Sequence, residues 1–285
     1  MAETILVALI RAAVSAQDQD SWRRASVGHG KTAVVVGGLG RMGRWFTRFL
    51  ADQGYAVGAL DLDPAGDEEQ AWARGALPTA DLVVCSIPPA AAAALYDQWS
   101  ADPPRGVIVD IASIKTPLIG PIRRLQAAGA RVASIHPMFG PSVVLLRDCD
   151  VVICDTGDQE AAETVTRLFT STTARLLHLP LDEHDRLMAD VLTLAHATTI
   201  AFALALPDTA VPVRSTTLGA LQTLSANLMR ESPDVYFEIQ ALNPNSAAAL
   251  ERLASAVSRV RRIVSSRDAA GFHQLMDEGR HKTGA

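Results

Sequence analysis

"TAVVVGGLGRMGRWF", residues 32–46, joins a β-branched run to an amphipathic stretch through a glycine-rich turn. Within it Gly38-x-Gly40-x-x-Gly43 follows a predicted strand and opens a predicted helix, the setting in which this spacing signals a dinucleotide site. Gly38 is expected to allow the tight turn, Gly40 the close approach of a pyrophosphate, and Gly43 the packing of helix on strand. The helix N-terminus, with its unpaired N–H groups, would then face the phosphates, so Leu39, Arg41 and Met42 complete the candidate cofactor loop. The next predicted strand ends at Asp61, 23 residues after Gly38. A carboxylate there accepts hydrogen bonds from ribose hydroxyls and repels a 2′-phosphate, which favours NAD over NADP. Arg41 works the other way, because a guanidinium in the loop can hold a 2′-phosphate.

Working outward, six more stretches read as strands: 55–61, 80–87, 106–113, 130–137, 148–155 and 174–179. Helix-compatible segments fall at 41–53, 90–99, 117–128 and 158–170. Apolar strands alternating with helices predict an α/β fold of Rossmann type, with a mostly parallel sheet covered on both faces. After Pro180 the strand signals stop. Residues 181–206 form one long helical pattern with Asp182 as a candidate N-cap, apolar on nearly all sides from Val191, and so expected to be deeply buried. Two more helical patterns follow, at 215–232 and 245–268. The expected organisation is an N-terminal helix and linker over 1–30, a dinucleotide-binding domain over 31–180, and an all-helical domain over 181–285. The helical part is too thin to cover its own apolar surface, which predicts a homodimer formed through it.

The chain has 285 residues, 48% of them hydrophobic and 20% charged, enough to bury a sizeable core. A net charge of -5 without a Lys/Arg block argues against a nucleic-acid partner. Cys85, Cys149 and Cys154 show no metal or redox spacing and read as small apolar residues of a reducing, cytoplasmic protein. No metal site is expected. The apolar stretch 4–14 is interrupted by Arg11 and falls short of the about 18 residues of a membrane span. It reads as an amphipathic helix, and residues 15–31 as a polar linker with His29 in solvent.

In a parallel sheet the ligand crevice lies beyond the carboxyl ends of the strands. "SIPP" (86–89), "DIASIKTP" (110–117) and "SIHPMFGPS" (134–142) stand at such ends, so Ser86, Ser113, Lys115 and His136 are candidates to line one crevice. A histidine there can accept or share a proton near neutral pH, and Pro137 and Pro141 restrict the backbone that aims it. From position alone, a histidine that merely caps a strand fits equally well.

These stretches, together with "EHDRLMADVLTLAHATTIAFAL" (183–204), resemble the prephenate dehydrogenases in order and spacing over roughly residues 31–240. The likeness is strongest to the dehydrogenase half of bifunctional chorismate mutase–prephenate dehydrogenases, and it makes residues 1–28 look like the remnant of a mutase domain. The resemblance implies oxidation of a cyclohexadiene at ring C4 with hydride passing to NAD, loss of the ring carboxylate as carbon dioxide, and aromatisation. It assigns to His136, as a neutral imidazole, the hydrogen bond from the C4 substituent, and to Ser113 the orientation of that substituent or of the nicotinamide. Lys115 would attract a substrate carboxylate. His196 matches a helix histidine near the substrate side chain, although packing among Leu194 and Ile200 also accounts for it. His184 follows the family pattern and could equally cap the helix start.

Three positions depart from the family. An arginine six residues before the proline of the helical-domain turn holds the ring carboxylate in prephenate dehydrogenases, and counting back from Pro233 gives Asn227. A slip of one turn would bring in Arg230; Arg214 or a partner subunit could also substitute. A second family arginine falls on Gly219, and Asp190 stands where an apolar residue is usual. Loss of cations and gain of an anion suit a substrate with a positive group, as 4-amino-4-deoxyprephenate has at C4, on the route to 4-aminophenylpyruvate for antibiotics. Prephenate, on the route to tyrosine, is the alternative, followed by arogenate. A non-catalytic NAD-binding regulator is the reading from another class, disfavoured by the joint presence of His136, Ser113 and Lys115. A β-hydroxyacid dehydrogenase would need a helix lysine, and 184–200 contains none.

Overall fold

The structure, a computed structural model, describes residues 6, 13–14, 16–17, 20–24, 27–62, 68–209, 212–213 and 215–284. It divides into two compact units that meet between His184 and Asp185.

The first unit is built on a seven-stranded sheet. Its strands are β1 (Thr32–Val36), β2 (Ala56–Leu60), β3 (Leu82–Cys85), β4 (Val107–Asp110), β5 (Arg131–Pro137), β6 (Asp150–Asp155) and β7 (Arg175–Pro180), in the order β2-β1-β3-β4-β5-β6-β7. β1 to β5 run parallel, as the alternation with helices requires, and β6 pairs antiparallel with β5. The loop from β5 to β6 contains no helix, so the chain turns straight back rather than crossing over. Helices α1 (Arg41–Asp52), α2 (Glu68–Ala76), α3 (Pro89–Trp99), α4 (Thr116–Ala127) and α5 (Gln159–Thr170) cover the sheet. α2 is absent from the sequence reading.

Valines and isoleucines of β1, β3, β4 and β5 point alternately into two cores, as expected of strands buried on both faces. One core holds Val35, Val84, Val109 and Ile135 under the aromatic cluster Trp45, Phe46 and Phe49. The other holds Val34, Val83, Ile108 and Val132 under Tyr96, Leu118 and Ile122.

Most of the N-terminal helix expected over 4–14 lies outside the described residues. The stretch after it is not the plain linker expected. Residues 20–24 are helical, Trp22 is buried edge-on against Phe49 with ring centroids 5.3 Å apart, and Arg23 pairs with Asp52 at 3.0 Å.

The second unit is helical: α6 (His184–Met188) continues through a wider π turn (Ala189–Thr193) into α7 (Leu194–Leu204), followed by α8 (Thr216–Leu228), α9 (Pro233–Ala241), α10 (Ser246–Ser265) and α11 (Ala269–Thr283). α9 and α11 are also new to the structure. The long helical run is not deeply buried as expected. Thr199 is the one buried residue of α7, and Leu204 is 81% exposed. Its apolar side chains are left largely uncovered among the described residues. The helix His184–Leu204 is also long and apolar enough to cross a membrane by length and composition alone, which the sequence reading passed over.

Candidate active site

The register of the sheet brings the predicted residues of the first unit to one edge. Val36 pairs with Cys85, Cys85 with Asp110, and Asp110 with Ser134. The glycine loop, Ser86 and Ser113 therefore leave β1, β3 and β4 at the same end. β5 runs further, so that His136 stands two residues beyond the level of Asp110. The strand order reverses between β1 and β3, the switch point at which such sheets bind ligands.

The loop geometry suits a dinucleotide. A side chain at Gly43 would put its Cβ 2.0 Å from the Gly37 carbonyl, so only glycine lets α1 pack this closely on the loop. The tight turn belongs to Gly37, at φ +77, and not to Gly38 as expected; a Cβ at Gly38 would strike Ala59 at 2.5 Å. Gly40 caps α1 without a side-chain hydrogen bond, and the first turn carries no acidic residue. The backbone N–H groups at such a helix N-terminus suit an anion. Arg41 and Leu39 are exposed, while Met42 packs partly into the core, contributing backbone rather than side chain to the loop edge. Asp61 accepts hydrogen bonds from the N–H groups of Leu39 (3.1 Å) and Leu62 (2.8 Å), tying the end of β2 to the glycine loop. Ser86 donates its N–H to the Val36 carbonyl at 2.8 Å, and its own carbonyl lies under Gly37.

His136 is 3% exposed, with its Nδ1 3.0 Å from Nε2 of the fully buried His184. Burial holds the His136 pKa well below 6.5, helped by His184 and by the Lys115 ammonium. The segment after it is anchored by Trp45 of α1, whose Nε1–H donates to the Val143 carbonyl at 2.9 Å and whose ring lies 4.9 Å from that of Phe139. A buried, neutral, sterically fixed imidazole at a strand end can accept a hydrogen bond from a reacting group.

Lys115 is not placed as the sequence suggested. It is completely buried, and its ammonium donates to Asp110 Oδ2 at 2.6 Å and to the Ile135 carbonyl at 2.7 Å. Ser134 Oγ donates to the same carboxylate oxygen at 2.7 Å, and the Ala112 N–H to the other at 2.9 Å. An unpaired carboxylate at the end of a buried strand would cost far more than a paired one. Asp110 therefore claims Lys115, and the pair fastens β4 to β5 immediately before His136. Asp110 and Ser134 escaped the sequence reading; the available signal was an acidic residue inside the apolar run "GVIVDIAS". Lys115→Met should destabilise the protein by roughly 3–5 kcal/mol, because it leaves Asp110 buried and uncompensated. Urea denaturation checks this, and adding Asp110→Asn should recover much of the loss.

Ser113 is half-buried on the bend that follows β4. In the helical unit His196 is half-buried, its ring edge-on to Tyr236 at 4.5 Å. Its Nδ1 is buried without a hydrogen-bond partner among the described residues, and burial lowers its pKa. Asn227 and Arg230 are both exposed near the C-terminal end of α8. Asp190 is not the free anion expected, because it pairs with Arg252 of α10. Arg214 lies outside the described residues. His29, His178, His273 and His281 are exposed, and Cys85 is buried with its thiol pKa pushed up to about 12, as suits an inert packing residue.

Residues 51–178 match the family model described as prephenate dehydrogenase, nucleotide-binding domain. The 4-amino-4-deoxyprephenate dehydrogenase of Streptomyces pristinaespiralis is 31% identical over 264 residues, covering 86% of this chain and 88% of that protein. The T-protein of Enterobacter agglomerans is 30% identical over 78% of this chain, which spans 59% of the T-protein's length. Among solved structures, prephenate dehydrogenase from Aquifex aeolicus in complex with hydroxyphenyl propionate and NAD+ shares the fold at a TM-score of 0.68 and 17% identity, covering 89% of this chain and 97% of that one. Synechocystis arogenate dehydrogenase does so at 0.64 and 14% identity, covering 89% and 99%.

Proposed function

Because the chain belongs to the prephenate dehydrogenase family, we propose that it oxidatively decarboxylates a prephenate-type cyclohexadiene, with 4-amino-4-deoxyprephenate favoured and 4-aminophenylpyruvate as product. The observation that carries the chemistry is His136, held dry and neutral at the same end of the sheet as the dinucleotide loop. NAD at that loop supplies the hydride acceptor. Hydride leaves ring C4, the carboxylate leaves C1 as carbon dioxide, and the electrons of the broken C–C bond complete the aromatic ring. His136 accepts the hydrogen bond from the C4 substituent as electron density is withdrawn, which requires it to be uncharged. Ser113 orients the same substituent or the nicotinamide. His196, whose Nδ1 has no hydrogen-bond partner among the described residues, is suited to the substrate side chain.

The amino substrate is favoured by Asn227. A neutral amide replaces the forked guanidinium that the family resemblance places there, and a substrate bearing its own ammonium needs less cationic help. The relative from Streptomyces pristinaespiralis, which this chain spans at 88%, points the same way. The balancing of Asp190 by Arg252 removes one argument for this reading and leaves Asn227 to carry it. Prephenate remains the second reading through Arg230, exposed within one turn of Asn227. Incubation with NAD and 4-amino-4-deoxyprephenate, with the product identified by mass, should yield 4-aminophenylpyruvate and stoichiometric NADH. NADH with prephenate alone, or with arogenate alone, would reassign the substrate.

Asp61→Ala should weaken NAD binding and narrow the NAD/NADP preference, because it removes both the ribose acceptor and a fixed negative charge. Titration of both cofactors checks this; an unchanged ratio would exclude Asp61 as the ribose contact.

The helical unit is also read as a dimerisation surface. Leu204, Phe237, Val257 and Val264 are exposed on three different helices, more apolar surface than a monomer usually leaves bare. A second copy of the apolar helices would cover it. Light scattering should give a dimer mass, and a monomer at micromolar concentration would contradict this.

A further inference from the structure

Resting on the reading of His136 as hydrogen-bond acceptor, we propose that His184 is a positioning residue that holds His136 in the tautomer protonated on Nδ1, so that Nε2 is the accepting atom. The two rings approach through His136 Nδ1 and His184 Nε2 at 3.0 Å, with centroids 5.1 Å apart and planes inclined at 53°. At that distance one proton lies between the two nitrogens: two N–H groups would collide and two lone pairs would repel. Two neutral arrangements satisfy this. In one, His136 Nδ1–H donates to His184 Nε2, and His136 keeps a lone pair on Nε2. In the other, His184 Nε2–H donates to His136 Nδ1, and His136 carries its proton on Nε2, where it can donate but not accept.

A doubly protonated pair is disfavoured, since both rings are buried and the Lys115 ammonium is already in the same interior. A neutral histidine side chain free in water prefers the proton on Nε2, the arrangement useless for this role. A partner that accepts at Nδ1 reverses the preference, as carboxylates and carbonyls do for catalytic and metal-bound histidines. His184 can accept there when its own proton sits on Nδ1. The strand and the helix start that carry the rings are 48 residues apart in sequence, so the pairing is a product of the fold.

Histidine-labelled full-length protein, free of substrate, is examined by imidazole 15N NMR, with His136→Gln used to assign the His136 signals. The expected result is a protonated Nδ1 and an unprotonated Nε2 at His136. In His184→Leu the His136 signals should shift toward the Nε2–H tautomer. There kcat should fall about 3- to 10-fold, the worth of one hydrogen bond, with KM for NAD little changed. His184→Gln, whose side-chain oxygen can accept in place of Nε2, should restore both tautomer and kcat. An Nε2–H tautomer in the wild type overturns the proposal. So does a His184→Leu protein that loses thermal stability while tautomer and kcat stay put. If His184→Leu fails to fold, the wild-type tautomer and the His184→Gln variant still decide. The expected tautomer in a protein that oxidises no cyclohexadiene would uphold the pairing and overturn the dehydrogenase reading instead.

Discussion

Replacing His136 by alanine should lower kcat by about 10²–10⁴-fold and leave NAD affinity nearly unchanged, the range expected when a positioned acceptor is lost. The cofactor loop lies on β1 and α1, and His136 near the end of β5, so the substitution touches the chemistry and not the dinucleotide. The pH dependence follows from the same burial. A folded-state pKa held well below 6.5 keeps His136 neutral through the range in which an exposed histidine would protonate. Wild-type kcat should therefore persist below pH 6.5, and its acid limb should report the lowered pKa of the His136–His184 pair as a unit. Steady-state kinetics as a function of pH checks both points. Near-normal turnover in His136→Ala would remove this residue from the mechanism.

Asn227→Arg should raise kcat/KM on prephenate by about 10- to 150-fold, because a forked guanidinium would then bind the ring carboxylate with charged hydrogen bonds worth roughly 1.5–3 kcal/mol. The position is exposed on α8, so an arginine there does not disturb a packed core. Arg230 is close enough in sequence to supply the same charge, so Arg230→Ala is made alone and in combination. A gain that appears only in the absence of Arg230 shows that Arg230 already serves the carboxylate. A loss of prephenate activity in Arg230→Ala alone makes it the relocated family arginine.

The sheet was legible because its signals are local. Each strand is a short apolar run closed by glycine, proline or aspartate, and the glycine loop declares both its neighbours. The direction of β6 was not legible, since a strand's period is the same whichever way it runs. α9 and α11 went unread although their starts are marked: Ser232-Pro233 opens one, and Asp268, which accepts from the Gly271 N–H at 2.9 Å, caps the other. For the site, the sequence placed His136 and Ser113 at strand ends correctly but could not say which polar residues would satisfy one another. Lys115 belonged to Asp110, and His184 to His136, because burial makes unpaired polar groups costly and the fold supplies the nearest partner. The long helix shows the converse limit: apolarity on every side predicted deep burial, and Thr199 is the one buried residue of α7.

The most direct measurement is NADH formation by the wild-type protein with 4-amino-4-deoxyprephenate, prephenate and arogenate side by side, compared as kcat/KM. The expected result is turnover that depends on His136, with 4-amino-4-deoxyprephenate highest of the three. Efficient turnover of prephenate with poor turnover of the amino compound would contradict the assigned substrate, and no NADH from any of the three would contradict the dehydrogenase activity itself.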